Sequence, residues 1–300
     1  MKLSLIDMHC DTLTELDAQN CAFEENNLHI SYEKADFLDK YTQVFALYIP
    51  SELDKDEAYL YAKKVYNVYR EKVSKLMPLD FSFNEKRGAI LSIENACCLK
   101  DDEASLDEFY ELGVRITSLT HCGDNRYACG NQTENDTGLT KLGSRMVKAI
   151  EQHRMALDVS HLSFKSFDGV MDVCEGPVMA THSNSYKLCR HPRNLTDEMF
   201  KKLLAHNGFI GINLYSTFLS DKSCNIDTII DHIVHFCDMG GENNLGFGCD
   251  FDGMSIMPEG IMGIHDLHKI ADRMLSRGFN ENQINNIFRD NGVEFLKKLL

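Results

Sequence analysis

Eight short apolar or alternating runs, separated by segments of helical period, constrain this chain more than any other feature. The runs occupy residues 3–9, 42–49, 89–94, 114–121, 155–161, 178–182, 209–214 and 245–250, each of strand length. Helical patterning is clearest at 56–77, 141–153, 196–207, 226–239, 265–277 and 281–299, and weaker at 106–112 and 164–174. Strands joined through helices pair in parallel, and eight such units close on themselves, so the chain reads as an α/β protein, a (β/α)8 TIM barrel. A doubly wound open sheet shares the alternation but calls for a glycine-rich turn after the first strand, where Met8-His9-Cys10-Asp11 stands instead. With only five prolines and no low-complexity tract to mark a linker, residues 1–300 read as a single barrel domain.

In such a barrel the chemistry collects at the C-terminal ends of the strands. Strand 1 closes on His9 and Asp11, strand 3 on Glu94, strand 4 on His121, strand 5 on His161, strand 6 on His182, and strand 8 on Asp250 and Asp252. Imidazoles and carboxylates are the ligands that zinc and similar metals take. Alternation along a strand puts Asp7, His9 and Asp11 on one side, so His9 and Asp11 are expected to share a metal. Glu94, with two carboxylate oxygens, is suited to bridge that metal to a second one held by His161 and His182. Any one of these residues has an ordinary structural explanation, since strand-end histidines are commonly hydrogen-bonded and paired aspartates commonly cap turns. Polar groups closing six of eight strands do not, because burying so many without a metal or a partner is costly.

The net charge of −15 sets the protein against phosphate backbones and anionic membranes, so neither nucleic acid nor membrane is expected as a partner. No apolar run approaches the roughly 20 residues that span a bilayer, and the N-terminus turns polar at Asp7, too soon for a signal peptide. Eleven cysteines form an odd set with no CxxC pair, which fits reduced thiols; the expected location is cytoplasmic.

The motifs, taken together, resemble the membrane dipeptidase (renal dipeptidase, peptidase M19) family of amidohydrolase-like metal-dependent hydrolases, over nearly the whole chain. Ile6-Asp7-Met8-His9-Cys10-Asp11 is similar to the family's opening His-x-Asp, Ser92-Ile93-Glu94 to its bridging-glutamate strand, and Leu119-Thr120-His121 to its Leu-Thr-His segment. Gly138-Leu139-Thr140-x-Leu142-Gly143, Leu157-Asp158-Val159-Ser160-His161, Pro177-Val178-x-x-Thr181-His182-Ser183 with Arg193-Asn194, and Gly246-Phe247-Gly248-Cys249-Asp250-Phe251-Asp252-Gly253 complete the pattern. The resemblance implies two zinc ions per chain, one on His9 and Asp11, one on His161 and His182, bridged by Glu94. A metal-bridging hydroxide would then cleave a small dipeptide, with a D-residue at its C-terminal position within reach. By the same resemblance His121 would steady the oxyanion, Asp250 would handle protons, Arg193 would hold the substrate carboxylate, Tyr215 would contact substrate, and the protein would form a homodimer. Arg190 reads as an ordinary surface charge.

Cys10, Cys122 and Cys249 depart from the family's usual residues, and 17–33 matches nothing in it. Cleavage of a cyclic amide, lactam or lactone is the competing hydrolase reading, but many such enzymes open with His-x-His, and some bridge through a strand-4 lysine. A catalytically silent metal- or peptide-binding relative would have lost a ligand, and every candidate ligand is present here.

Overall fold

The computed structural model describes residues 2–100 and 103–299; residues 1, 101, 102 and 300 of the expected domain lie outside it. Its eight strands form a closed parallel barrel in sequence order. They are β1 (Leu5–Cys10), β2 (Tyr41–Tyr48), β3 (Arg87–Glu94), β4 (Val114–Ser118), β5 (Ala156–Asp158), β6 (Val178–Ala180), β7 (Phe209–Ile212) and β8 (Leu245–Phe247). Crossover helices follow every strand, and the weaker helical patterns materialise as Glu103–Glu111 and Phe164–Val173. The long patterns at 56–77 and 281–299 each contain a wide π-type turn, at Tyr69–Val73 and Asn286–Asp290. No helix among the described residues is long and apolar enough to cross a membrane.

β3 is buried along its whole length and pairs residue for residue with β2, from Tyr41↔Arg87 to Tyr48↔Glu94, which carries Glu94 to the rim of the barrel. The later strands stop short of their apolar runs. β4 ends before His121, β5 before His161, β6 before His182 and β8 before Asp250. His161 (φ 69°), Asp250 (φ 63°) and Asp252 (φ 67°) adopt left-handed backbone that no strand accommodates. Each such non-glycine residue costs about 1–3 kcal/mol, an expense typical of functional sites. The polar residues that follow these later strands therefore sit in the first loop positions above them, whereas His9 and Glu94 belong to β1 and β3 themselves.

Strict alternation also fails in β1. Its ladder with β2 runs Asp7↔Gln43 and then Cys10↔Phe45, so β1 carries one extra residue and the faces exchange between Asp7 and Cys10. The expectation that Asp7 shares a side with His9 and Asp11 is thereby corrected: Asp7 accepts instead from the backbone N–H of Cys249 at 2.8 Å. The ring closes where β1 meets β8 through the ladder pair Asp7↔Phe247, and a bridge between Cys10 and Phe251 continues the seam above β8. Glycine is obligatory on the neighbouring strands, since a Cβ at Gly211 or Gly248 would lie 1.9 or 1.6 Å from the Thr181 carbonyl oxygen.

A buried imidazole ties the helix Ile226–Asp238 to the loop after β6. His232 Nδ1 accepts from the Ser185 backbone N–H at 3.0 Å, which leaves Nε2 to donate to the Leu219 carbonyl at 2.9 Å. Burial pushes its pKa from the ordinary 6.5 down to about 4. The folded protein thus holds a neutral ring while the unfolded chain takes up a proton below pH 6.5. Stability is complete above that pH and falls as acid approaches pH 4, by on the order of 3 kcal/mol from this residue. Urea unfolding at pH 7 and pH 4.5 should show a shallower pH dependence in His232→Gln than in wild type; equal slopes would remove His232 as the cause.

Candidate metal centre

Glu94 is the last residue of β3, and Asn95 (φ 77°) turns the chain away immediately after it. Its carboxylate stands in the middle of the rim. Oε2 lies 3.4 Å from His9 Nε2, while Oε1 lies 2.9 Å from His161 Nε2 and 3.7 Å from His182 Nε2. On one flank His9 Nε2 is 3.7 Å from Asp11 Oδ2; on the other the Nε2 atoms of His161 and His182 are 3.0 Å apart. Two sets of three result, His9/Asp11/Glu94 and Glu94/His161/His182, each with ligand atoms within 4.8 Å of one another. Glu94 belongs to both sets.

The donor chemistry fits cations. His9 Nε2 and Asp11 Oδ1 are buried with no hydrogen-bond partner among the described residues, a costly state for polar atoms that a metal would relieve. Burial, with the charge of Glu94 added, pushes the Asp11 carboxyl up to about 7. Burial likewise raises the Asp250 carboxyl. Burial also opposes ionisation of Glu94, yet the facing His9 and His161 outweigh it and hold that carboxyl well below its usual range. Three carboxylates so close together need positive charge between them, and divalent ions supply it.

The remaining candidates surround this cluster. Asp250 Oδ1 is 3.9 Å from His9 Nε2, and its Oδ2 accepts from Asn213 Nδ2 at 2.9 Å. The His121 ring packs edge-on against Tyr48 at 5.1 Å and tilts over His161 at 4.4 Å. Burial, aided by the charge of Arg193, lowers the His121 pKa and so favours the neutral ring. Arg193 is 5% exposed; one of its terminal nitrogens donates to the His182 carbonyl at 3.1 Å, and its Nε has no partner among the described residues. Arg190 is exposed, as read from the sequence. Tyr215 packs on Phe218 at 4.7 Å, and its hydroxyl is 3.3 Å from Ser255 Oγ. Asp11, Glu94, His121, His161, Arg193, Tyr215 and Asp250 all line one cavity of about 300 Å³. That volume is at the lower end for small-molecule sites.

The membrane dipeptidase (Peptidase family M19) family model matches residues 1–299. The chain belongs to this family. A relative from Schizosaccharomyces pombe, named as an uncharacterized dipeptidase, is 32% identical over 200 residues, covering 64% of this chain and 47% of that protein. The chain therefore spans about half the length of the curated relatives it matches. Among solved structures, a metallo peptidase from Rhodobacter sphaeroides liganded with a phosphinate mimic of the dipeptide L-Ala-D-Ala superposes with a TM-score of 0.88. Identity is 21%, and the match covers 100% of both chains. The probable dipeptidase PvdM from Pseudomonas aeruginosa gives 0.90 at 17% identity, over 99% of this chain and 96% of that one. At such identities these structures attest the shared barrel.

Two features of this member of the membrane dipeptidase family were not read from sequence. Asn213, just past β7, orients Asp250 and is itself fixed by Asn184, whose amide exchanges hydrogen bonds of 3.0 and 3.1 Å with the Asn213 backbone. A polar residue closing the apolar run Phe209-Ile210-Gly211-Ile212 was the available signal. His191 and Phe218, their rings tilted against each other at 4.5 Å, wall the cavity beside Arg193 but carry no motif. Asp252, grouped with Asp250 by sequence, has other work. It accepts from Thr12 Oγ1 and from the His29 backbone N–H, both at 2.6 Å, and so pins the otherwise unmatched 17–33 segment to the barrel rim.

Proposed function

We propose that this chain is a zinc-dependent dipeptidase that binds two zinc ions, with His9 and Asp11 holding one, His161 and His182 the other, and Glu94 bridging them. The observation that carries this reading is the position of Glu94 between two complete donor sets at the foot of a small cavity with a buried guanidinium in its wall. Zinc bound there would supply an activated, metal-bridging hydroxide near neutral pH and polarise the scissile carbonyl.

The protein's own groups divide the remaining tasks. Arg193 is desolvated and its Nε has no partner among the described residues, which suits it to take the terminal carboxylate of a dipeptide and so measure the length of the substrate. His121, facing the cavity, donates to the oxygen of the carbonyl as negative charge develops on it. Asp250, held by Asn213, accepts the proton of the attacking water and returns it to the leaving amine. Tyr215 bounds the substrate at the mouth. Acceptance of a D-residue at the C-terminal position belongs to the proposal, supported by the L-Ala-D-Ala mimic held by the Rhodobacter sphaeroides protein. Eleven free cysteines support a reducing, cytoplasmic setting.

The test is hydrolysis by the zinc-loaded protein of L-Ala-L-Ala, L-Ala-D-Ala and their C-terminal amides, followed by chromatography of the released amino acids. Free dipeptides should be cleaved and amides disfavoured; no cleavage of any dipeptide overturns the reading. Arg193→Met should lower kcat/KM for free dipeptides by roughly 10- to 100-fold, the loss expected for a charge-assisted hydrogen bond, and leave amide hydrolysis unchanged. Equal losses on acid and amide would assign Arg193 to structure.

A further inference from the structure

His182 can serve a metal only through an Nε2 that carries a lone pair, and the structure contains a device that selects this tautomer. Its other ring nitrogen, Nδ1, is 2.7 Å from Thr181 Oγ1, and that oxygen is 2.6 Å from Asp158 Oδ2. The hydroxyl has one proton to give. Asp158, as a carboxylate, only accepts: its Oδ1 already takes the backbone N–H groups of Ser160 at 2.9 Å and Thr181 at 3.0 Å. The hydroxyl proton therefore goes to Asp158, and Thr181 Oγ1 accepts from His182 Nδ1–H. Nε2 is left unprotonated, facing Glu94 and His161. The reverse arrangement would set two oxygen lone pairs 2.6 Å apart and place a proton on the metal-facing nitrogen.

Asp158, Thr181 and His182 are at most 3% exposed, so water does not compete for these bonds. The close approach of Gly211 and Gly248 to the Thr181 carbonyl holds the residue in place. Among the described residues His161 has no such charged brace, its Nδ1 lying 3.4 Å from the Cys122 thiol. From this asymmetry we infer that Asp158 and Thr181 are positioning residues that tune one of the two metal positions, the one His182 serves, by fixing the tautomer of that ligand. The inference rests on the two-zinc reading above and concerns affinity for zinc, not the chemistry of the substrate.

The experiment titrates metal-free protein with zinc alone, in competition with a chromophoric chelator that resolves two binding steps. Thr181→Val, which keeps the shape and removes the hydroxyl, should weaken one step roughly 10- to 100-fold and leave the other unchanged, while Thr181→Ser restores wild-type affinity. Long-range proton–nitrogen NMR of metal-free wild type should find His182 protonated at Nδ1, a readout that stands even where the valine variant does not fold. Unchanged affinity at both steps, equal weakening of both, a serine variant that behaves like valine, or His182 protonated at Nε2 each overturns the inference. Wild-type protein that binds no zinc would fell the two-metal reading itself; wild-type and Thr181→Val proteins that bind two zinc ions alike would fell only this one.

Discussion

Glu94→Gln should reduce dipeptide hydrolysis by roughly a thousandfold or more, because it removes the one residue on which both donor sets depend. Its two oxygens face different flanks, 3.4 Å from His9 Nε2 and 2.9 Å from His161 Nε2. A glutamine keeps the shape but loses the charge, and one end of its amide becomes a donor that turns an N–H toward an imidazole or a cation. Each flank then retains only two protein donors, His9 with Asp11 and His161 with His182. Loss of the polarised carbonyl and of the activated water is worth several kcal/mol in the transition state, hence the factor. Elemental analysis after dialysis should show wild type retaining two zinc ions and the variant losing both. A chelator should reproduce the loss in wild type, with recovery on adding zinc. A Glu94→Gln protein that keeps its metal and half its rate would place the bridge elsewhere.

Asp250→Asn tests a different function, proton movement without metal loss. The substitution preserves a side-chain oxygen for the Asn213 amide, now 2.9 Å away, so the left-handed turn should survive. What disappears is the basic Oδ1 of Asp250, which lies 3.9 Å from His9 Nε2. Removing a positioned acid–base group costs roughly 10²- to 10⁴-fold, here expected in kcat with little change in KM. Metal content decides the role. His9, His182 and Asp250 also form a possible ligand group, so a variant that loses zinc would make Asp250 a ligand, whereas one that keeps both ions and loses rate makes it the proton carrier.

The sequence disclosed the barrel because hydrophobic period is set locally, two for a strand and near four for a helix, and those periods change cleanly along this chain. It disclosed His9, Asp11, Glu94, His161 and His182 as one group because the barrel rule assigns every strand end to the same rim. Strand ends were harder. Nothing in the composition of Met155-Ala156-Leu157-Asp158 announces that the chain leaves the ladder before His161, since that departure depends on a left-handed residue held by tertiary contacts. The extra residue in β1 was hidden for the same reason: it is a property of the pairing with β2, and alternation applied to β1 alone misplaced Asp7. Asn213 and Thr181 were invisible as site residues because each acts through another side chain, Asp250 or His182, and such roles leave only a polar residue near an apolar run.

The seam where β1 meets β8 bears on how the molecule comes into being. The donors of the cluster stretch from His9 to His182, with Asp250 further still, and they meet only when the first and last strands join the ring. Contacts of such sequence separation form late. A nascent chain still lacking its eighth strand has all five proposed ligands and no closed ring to hold them, so on the two-zinc reading tight zinc capture should mark the closing of the ring and serve as a spectroscopic clock for the final event of folding.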